Sequence, residues 1–336
     1  MRNNKLSSKR IRELQESFIY TQILITSVEL KLFDYLLKGP RSIDYLSRML
    51  HASERGVEVL SNNLVNIDLL EKVNNSYKLT PESKKYLVST SDFYEGHAVL
   101  WQKNLFEPFS KLTNVVKTGK SALNTDDPAV SASFFPEIIK VLYKPHMKEA
   151  DKLANYILKK TSSKNLHILD VACGSGVWSI SFARKSPDVS IVAHDIDSTL
   201  KNITSKYIKD NNVQKQYTFL PGGINEVNFG KNKYDVIILG HILHSEGMVK
   251  SNELVKKLYK ALKVKGYLVV AEMFLNESKT GPRFPVVFDL NMVVNTQHGR
   301  VFTVKEIEKL LRNVGLQKLS KIVNPITGPR LILGTK

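Results

Sequence analysis

The run His167-Ile168-Leu169-Asp170-Val171-Ala172-Cys173-Gly174-Ser175-Gly176 constrains this chain more than any other stretch. An apolar strand ends in an acid and a small-residue turn, and Val177-Trp178-Ser179-Ile180-Ser181-Phe182-Ala183-Arg184 then reads as a helix. Glycine lets backbone approach a ligand closely, and a helix start points free N–H groups at it. A second apolar strand, Ser190-Ile191-Val192-Ala193-His194, ends at Asp195. Beyond it the sequence predicts a helix over 198–209, a strand over 217–220 and the turn Pro221-Gly222-Gly223. A strand over 234–240, a helix over 251–262 and a strand over 267–272 follow, then a helix over 304–314 and strands over 319–323 and 329–334. Such alternation predicts a mostly parallel, doubly wound α/β sheet covered on both faces. Ligands bind such sheets at the carboxyl ends of strands, where Gly174, Asp195, Gly222, Gly240 and Glu272 all fall.

The loop chemistry narrows the ligand. A pyrophosphate cofactor prefers G-x-G-x-x-G, and the third glycine position here is Ser179. An acid just before the turn suits a positively charged ligand instead. Asp195 lies 19 residues beyond Gly176, the spacing of a carboxylate that binds ribose. S-adenosylmethionine, with its ammonium, sulfonium and ribose diol, meets all three conditions.

His244 follows the strand over 234–240, in Gly240-His241-Ile242-Leu243-His244-Ser245-Glu246-Gly247. A histidine at a strand's carboxyl end can take a proton from an acceptor hydroxyl. Glu272 ends the neighbouring strand 28 residues later, and a carboxylate there can hold the imidazole in one tautomer. His241 competes for the basic role, but the expectation is that it packs at the loop.

The first hundred residues read differently. A helix is predicted over 9–37, ending near Gly39-Pro40, with Ser42 capping a second helix to Leu50 and a third over 53–67. Strand Leu69-Leu70-Glu71-Lys72-Val73, turn Asn74-Asn75-Ser76 and strand Tyr77-Lys78-Leu79 make a hairpin, and Thr80-Pro81 opens another helix. Three helices and a wing form a winged helix-turn-helix, which serves either DNA reading or dimerisation. The third helix offers one Arg and two Glu in its first turns, so dimerisation is the expected use. Residues 101–160 read as a helical connector, with Phe134, Phe135 and Met147 placed to border a substrate pocket.

Composition excludes several alternatives. No apolar run reaches the roughly 18 residues of a membrane span, and the basic N-terminus lacks an apolar signal core, so a cytoplasmic protein is expected. Cys173 is the only cysteine, which rules out an intramolecular disulfide and argues against a cysteine-based metal site; no metal is expected. The net charge of +17 would suit nucleic acid, but the lysines are scattered without interleaved aromatics. Neither a nucleic-acid nor a membrane partner is expected.

Residues 30–336 resemble the S-adenosylmethionine-dependent O-methyltransferase family of plant phenolic, acetylserotonin and bacterial natural-product enzymes. The segment from Glu29-Leu30-Lys31-Leu32-Phe33-Asp34 to Leu79-Thr80-Pro81 is similar to that family's dimerisation domain, and Asp170 to Gly176 to its methyl-donor loop. Ile242-Leu243-His244 and Ala271-Glu272 resemble the segments that carry the catalytic histidine and its helper glutamate. Phe288-Asp289-Leu290-Asn291-Met292-Val293-Val294-Asn295-Thr296 and Gly299-Arg300-Val301-Phe302-Thr303 resemble the substrate side. The resemblance implies a class I (Rossmann-like) methyltransferase fold with an N-terminal helical winged-helix domain over 1–100, a connector over 101–160 and a methyltransferase domain over 161–336.

It further implies a homodimer that methylates a hydroxyl of a small aromatic metabolite. His244 and Glu272 would be catalytic. Asp170, Ala172, Gly174, Gly176, Asp195, Gly222, Gly223 and Gly240 would hold the donor, and Phe135, Met147, Asn291 and Met292 the acceptor. The chain departs from the family where His-Asp-Trp becomes His244-Ser245-Glu246, where Gly-Asp becomes Gly223-Ile224, and where the acid before the final Thr becomes Val301. A carbon methyltransferase and an S-adenosylmethionine-sensing DNA-binding regulator are the alternatives. A nucleic-acid amino-methyltransferase is disfavoured because Leu239-Gly240-His241-Ile242 stands where a proline pair belongs.

Overall fold

The computed structural model describes residues 7–161, 165–324 and 328–336. The chain forms two compact units, the first ending at Glu107 and the second starting at Pro108.

In the first unit, helix Lys9–Glu29 stops short of the predicted residue 37. Lys31 takes a left-handed conformation, and the chain turns so that Leu32, Phe33 and Leu36 enter the core with Leu46, Leu64 and Tyr77. Ser42 and Ser53 cap helices Ile43–Leu50 and Glu54–Asn66, their hydroxyls accepting from Tyr45 N–H and Gly56 N–H. The wing is a three-stranded antiparallel sheet, β1 (Arg41–Ser42), β2 (Leu70–Val73) and β3 (Ser76–Leu79), in the order β1-β3-β2. β1 is only two residues long, too short to show alternation in sequence. Thr80 caps helix Pro81–Tyr86.

The second unit is built on β4 (His167–Val171), β5 (Ser190–Asp195), β6 (Tyr217–Pro221), β7 (Tyr234–Gly240) and β8 (Leu262–Ala271). The short β9 (Phe274–Leu275) and β10 (Phe302–Thr303) pair with each other. β11 (Gln317–Asn324) and β12 (Gly328–Thr335) complete the main sheet. Its order is β11-β12-β8-β7-β4-β5-β6, with β4 to β8 parallel and β11 and β12 antiparallel. The order reverses at β4, whose neighbours are β5 and β7, so a crevice opens at the carboxyl ends of these strands.

Side chains alternate across the sheet with period two. Ile168, Val236, Ile238, Val269 and Ala271 pack on one side with helices Pro128–Lys160 and Val177–Lys185. Leu169, Val171, Ile237, Leu239 and Val270 pack on the other with helices Leu243–Ala261 and Val304–Asn313. The predicted connector over 101–160 is therefore not one body. From Pro108 onward it belongs to the second unit, because Ala150, Leu153, Ala154 and Ile157 are buried in the sheet's own core. The helix predicted over 251–262 begins eight residues earlier, at Leu243, and is broken at Gly247 (φ 68°, ψ −179°). No helix among the described residues is long and apolar enough to cross a membrane.

Candidate active site

The loop after β4 is folded by its own backbone and by the end of β5. Ala172, Gly174 and Gly176 all have positive φ, 52°, 55° and 73°, a region that glycine enters without strain. Gly176 N–H donates to Cys173 O at 2.7 Å and closes the turn, and helix Val177–Lys185 starts there. His194, the penultimate residue of β5, accepts from Ala172 N–H at Nδ1 (3.3 Å) and takes Cys173 N–H on its carbonyl (3.0 Å). Burial lowers the His194 imidazole to about 4, so it stays neutral and keeps that acceptor lone pair at neutral pH.

The two acids have different surroundings. Asp195 Oδ2 accepts from Gly174 N–H (2.9 Å) and Oδ1 from Ile196 N–H (2.8 Å), leaving further lone pairs on both oxygens. Burial raises its carboxyl, and these amides oppose the shift. Asp170 is wholly buried: Oδ2 accepts from Ser179 Oγ (2.6 Å), which itself accepts from Tyr217 OH (3.1 Å). Asp170 Oδ1 is buried with no hydrogen-bond partner, and burial raises this carboxyl to about 7. A cationic donor group beside this orphaned oxygen, a diol on Asp195 and a glycine-lined approach between them fit a methyl donor of the S-adenosylmethionine type. Gly222 N–H donates to Asp195 O (3.1 Å), and Gly223 O receives two amides of the following turn, so both shape the wall beyond Asp195.

Gly240 and Ala271 are register partners on β7 and β8, which brings the residues after them together. His244 Nδ1 lies 2.8 Å from Glu272 Oε2, and His244 N–H donates to Oε1 at 3.3 Å. His241 Nδ1 lies 3.7 Å from the same Oε2. Glu272 is 2% exposed. Burial alone would raise its carboxyl, but His244, by charge and hydrogen bond, and His241 together hold it well below the usual carboxylate range. Because His244 Nδ1–H points at a carboxylate, Nε2 carries the lone pair that can accept a proton.

His146, from helix Pro128–Lys160, stacks on His241 with centroids 4.3 Å apart and on Trp178 at 5.7 Å. Phe288 meets the His244 ring edge to face at 5.1 Å. Sequence reasoning missed His146. It lies 95 residues before His241, and only the packing of the long helix reveals the pairing.

The four expected acceptor residues fall in two settings. Phe135 packs edge to face on Phe134 (5.5 Å), and Asn291 Oδ1 accepts from Asn295 Nδ2 (2.7 Å). Met147 receives Arg184 Nη1 at Sδ (3.8 Å) against the sheet core, and Met292 is buried with Met273, Leu275 and Val301. Glu246, at the family's Trp position, is half-buried, and burial raises its carboxyl.

Comparison with known proteins gives a consistent picture. The family model "O-methyltransferase domain" matches residues 109–317, and "O-methyltransferase dimerisation domain" matches residues 12–89. The chain is 27% identical over 337 residues to the S-adenosyl-L-methionine-dependent methyl transferase PigF of Serratia sp. (strain ATCC 39006), covering 95% of this chain and 93% of that one. The acetylserotonin O-methyltransferase of Gallus gallus is 23% identical, over 95% and 96% of the two chains. Human N-acetylserotonin methyltransferase, solved in complex with SAM, shares the fold with a TM-score of 0.82 at 20% identity, covering 100% of this chain and 99% of that one.

Proposed function

The chain belongs to the S-adenosylmethionine-dependent O-methyltransferase family, and from that premise we propose that His244 is the general base of methyl transfer to the hydroxyl of a small aromatic molecule. The observation that carries this reading is the buried 2.8 Å contact between His244 Nδ1 and Glu272 Oε2. Asp170, Ala172, Gly174 and Gly176 would hold the donor's amino-acid end, Asp195 its ribose, and Gly222, Gly223 and Gly240 the walls. When bound, S-adenosylmethionine supplies a methyl group activated by its sulfonium.

The protein has two further tasks, alignment and deprotonation. Glu272 fixes the His244 tautomer, which leaves Nε2 free to take the acceptor's proton. The imidazolium that forms is stabilised by the same carboxylate, a charge-assisted hydrogen bond of about 1.5–3 kcal/mol. Phe288 on the ring and Phe135 on the long helix offer apolar surface for an aromatic acceptor, and Asn291 a polar group. The match to a dimerisation-domain model supports a homodimer formed through the first unit.

Labelled donor incubated with a panel of phenols, followed by mass spectrometry, identifies an acceptor. On that acceptor, His244→Ala is expected to lower turnover by about 10²–10⁴-fold while donor affinity holds. Glu272→Gln should lose less, because it disturbs the orientation of the imidazole rather than removing the base. Near-normal turnover of His244→Ala would show that alignment alone suffices.

A further inference from the structure

Glu272 is contacted by two imidazoles where the reaction needs one. His241 and His244 sit either side of a three-residue step after β7, and each presents Nδ1 to the same carboxylate. His241 is held in place: its φ is +58°, its N–H donates to Ala271 O (2.9 Å), and its ring stacks flat on His146 (interplanar 14°). Its Nδ1 is buried and has no hydrogen-bond partner. One ligand atom from each of His241, His244 and Glu272 lies within 4.8 Å of the others, the one such group among the described residues. Around a four-coordinate zinc, ligand atoms stand roughly 3–3.5 Å apart at metal–ligand distances of about 2.0–2.1 Å. The two Nδ1–Oε2 separations, 2.8 and 3.7 Å, bracket that spacing.

We propose that His241, His244 and Glu272 bind one divalent transition-metal ion, and that its binding switches the enzyme off. Two neutral imidazoles and a carboxylate, with a fourth position left to water, are a donor set for zinc or cobalt rather than magnesium or calcium. The switching half rests on reading His244 as the base, and it follows from the proton count on one ring. In the working tautomer Nδ1 bears the hydrogen and Nε2 the lone pair. A metal at Nδ1 takes that nitrogen's lone pair, so the single ring hydrogen of neutral imidazole must reside on Nε2. The ring then donates where it should accept, and no acceptor proton can be removed. No net proton or electron is gained or lost by the ring.

The test uses tag-free full-length protein stripped with a chelator. Titrated with Co²⁺, it is expected to show ligand-field absorption saturating at one equivalent per chain. His241→Gln, which leaves both proposed catalytic groups in place, should bind Co²⁺ at least about tenfold more weakly. Zn²⁺ should suppress wild-type turnover, and chelator should restore it. Absence of the Co²⁺ spectrum, or equal Co²⁺ affinity in His241→Gln, overturns the site. Undiminished turnover with zinc bound overturns the switch. Should metal-free His244→Ala keep normal turnover while wild type still binds Co²⁺ through His241, the base reading falls and the metal site stands.

Discussion

Asp170 is held far from a carboxyl's ordinary chemistry by its surroundings. Its carboxyl rises from 3.8 to about 7 because burial disfavours the charge and only Ser179 compensates. Between those two values the native state keeps a proton that the unfolded chain has released. Stability therefore falls as pH rises through that interval, and the protonated acid's contribution is whole only below it. Asp170→Asn keeps an oxygen for Ser179 and does not titrate. Its stability relative to wild type should rise by about 2–3 kcal/mol between about pH 5 and pH 8, read by thermal denaturation. A flat difference would mean that a counter-charge already satisfies the ionised acid. This acid, Asp195 and the His244–Glu272 pair were legible in sequence, because each lies at or just after the carboxyl end of an apolar strand and parallel strands align their ends. The orphaned Oδ1 was not, since it depends on which side chains fail to arrive.

At the scale of elements, the turn that carries His244 is the least regular. Helix Leu243–Ala261 is interrupted at Gly247, and a Cβ there would come 2.3 Å from His298 O. His244 O accepts from Arg300 N–H at 2.7 Å, which ties the turn that carries His244 to the segment after helix Arg283–Asn295. Gly247→Ala combines a left-handed φ with that clash and should destabilise the fold by about 1–3 kcal/mol. Turnover should fall more than donor affinity does, and denaturation together with donor calorimetry separates the two. Equal stability and activity would mean that the loop yields freely. Sequence periodicity found the later part of this helix and missed its first eight residues, because the stretch before the break at Gly247, Leu243-His244-Ser245-Glu246, has no repeat long enough to show a face. The β-strands were clearer, since both faces of the sheet are covered and each strand reads as an apolar run between turns. The π-helical turn Leu200–Thr204, within the helix predicted over 198–209, had no counterpart in the apolar spacing.

For the whole molecule, the decisive question is assembly. Ile11, Leu14 and Phe18 lie three and four residues apart on helix Lys9–Glu29 and are each more than 60% exposed. A stripe of this kind seeks cover, and the dimerisation-domain match supplies a reason for a second copy to provide it. Replacing all three with Asp should convert a dimer at micromolar concentration into monomers by light scattering. An unchanged mass would place the interface elsewhere. The helices and hairpin of the winged module were legible from caps and turn residues, apart from the early end of the first helix and the two-residue β1, whereas the helix Pro128–Lys160 carries no sign in sequence of which core it will join. The sheet order has a last consequence. The groups assigned to the donor and to proton removal hang from β4, β5, β6, β7 and β8, whose positions are set by one hydrogen-bonded ladder. Phe135 and Asn291 instead ride on helices outside that ladder. On the proposed reading of Phe135 and Asn291, mutational drift in those helices would change which molecules are accepted while leaving the strand-borne groups in place, so a lineage built on this frame could diversify its chemistry of recognition without relearning its reaction.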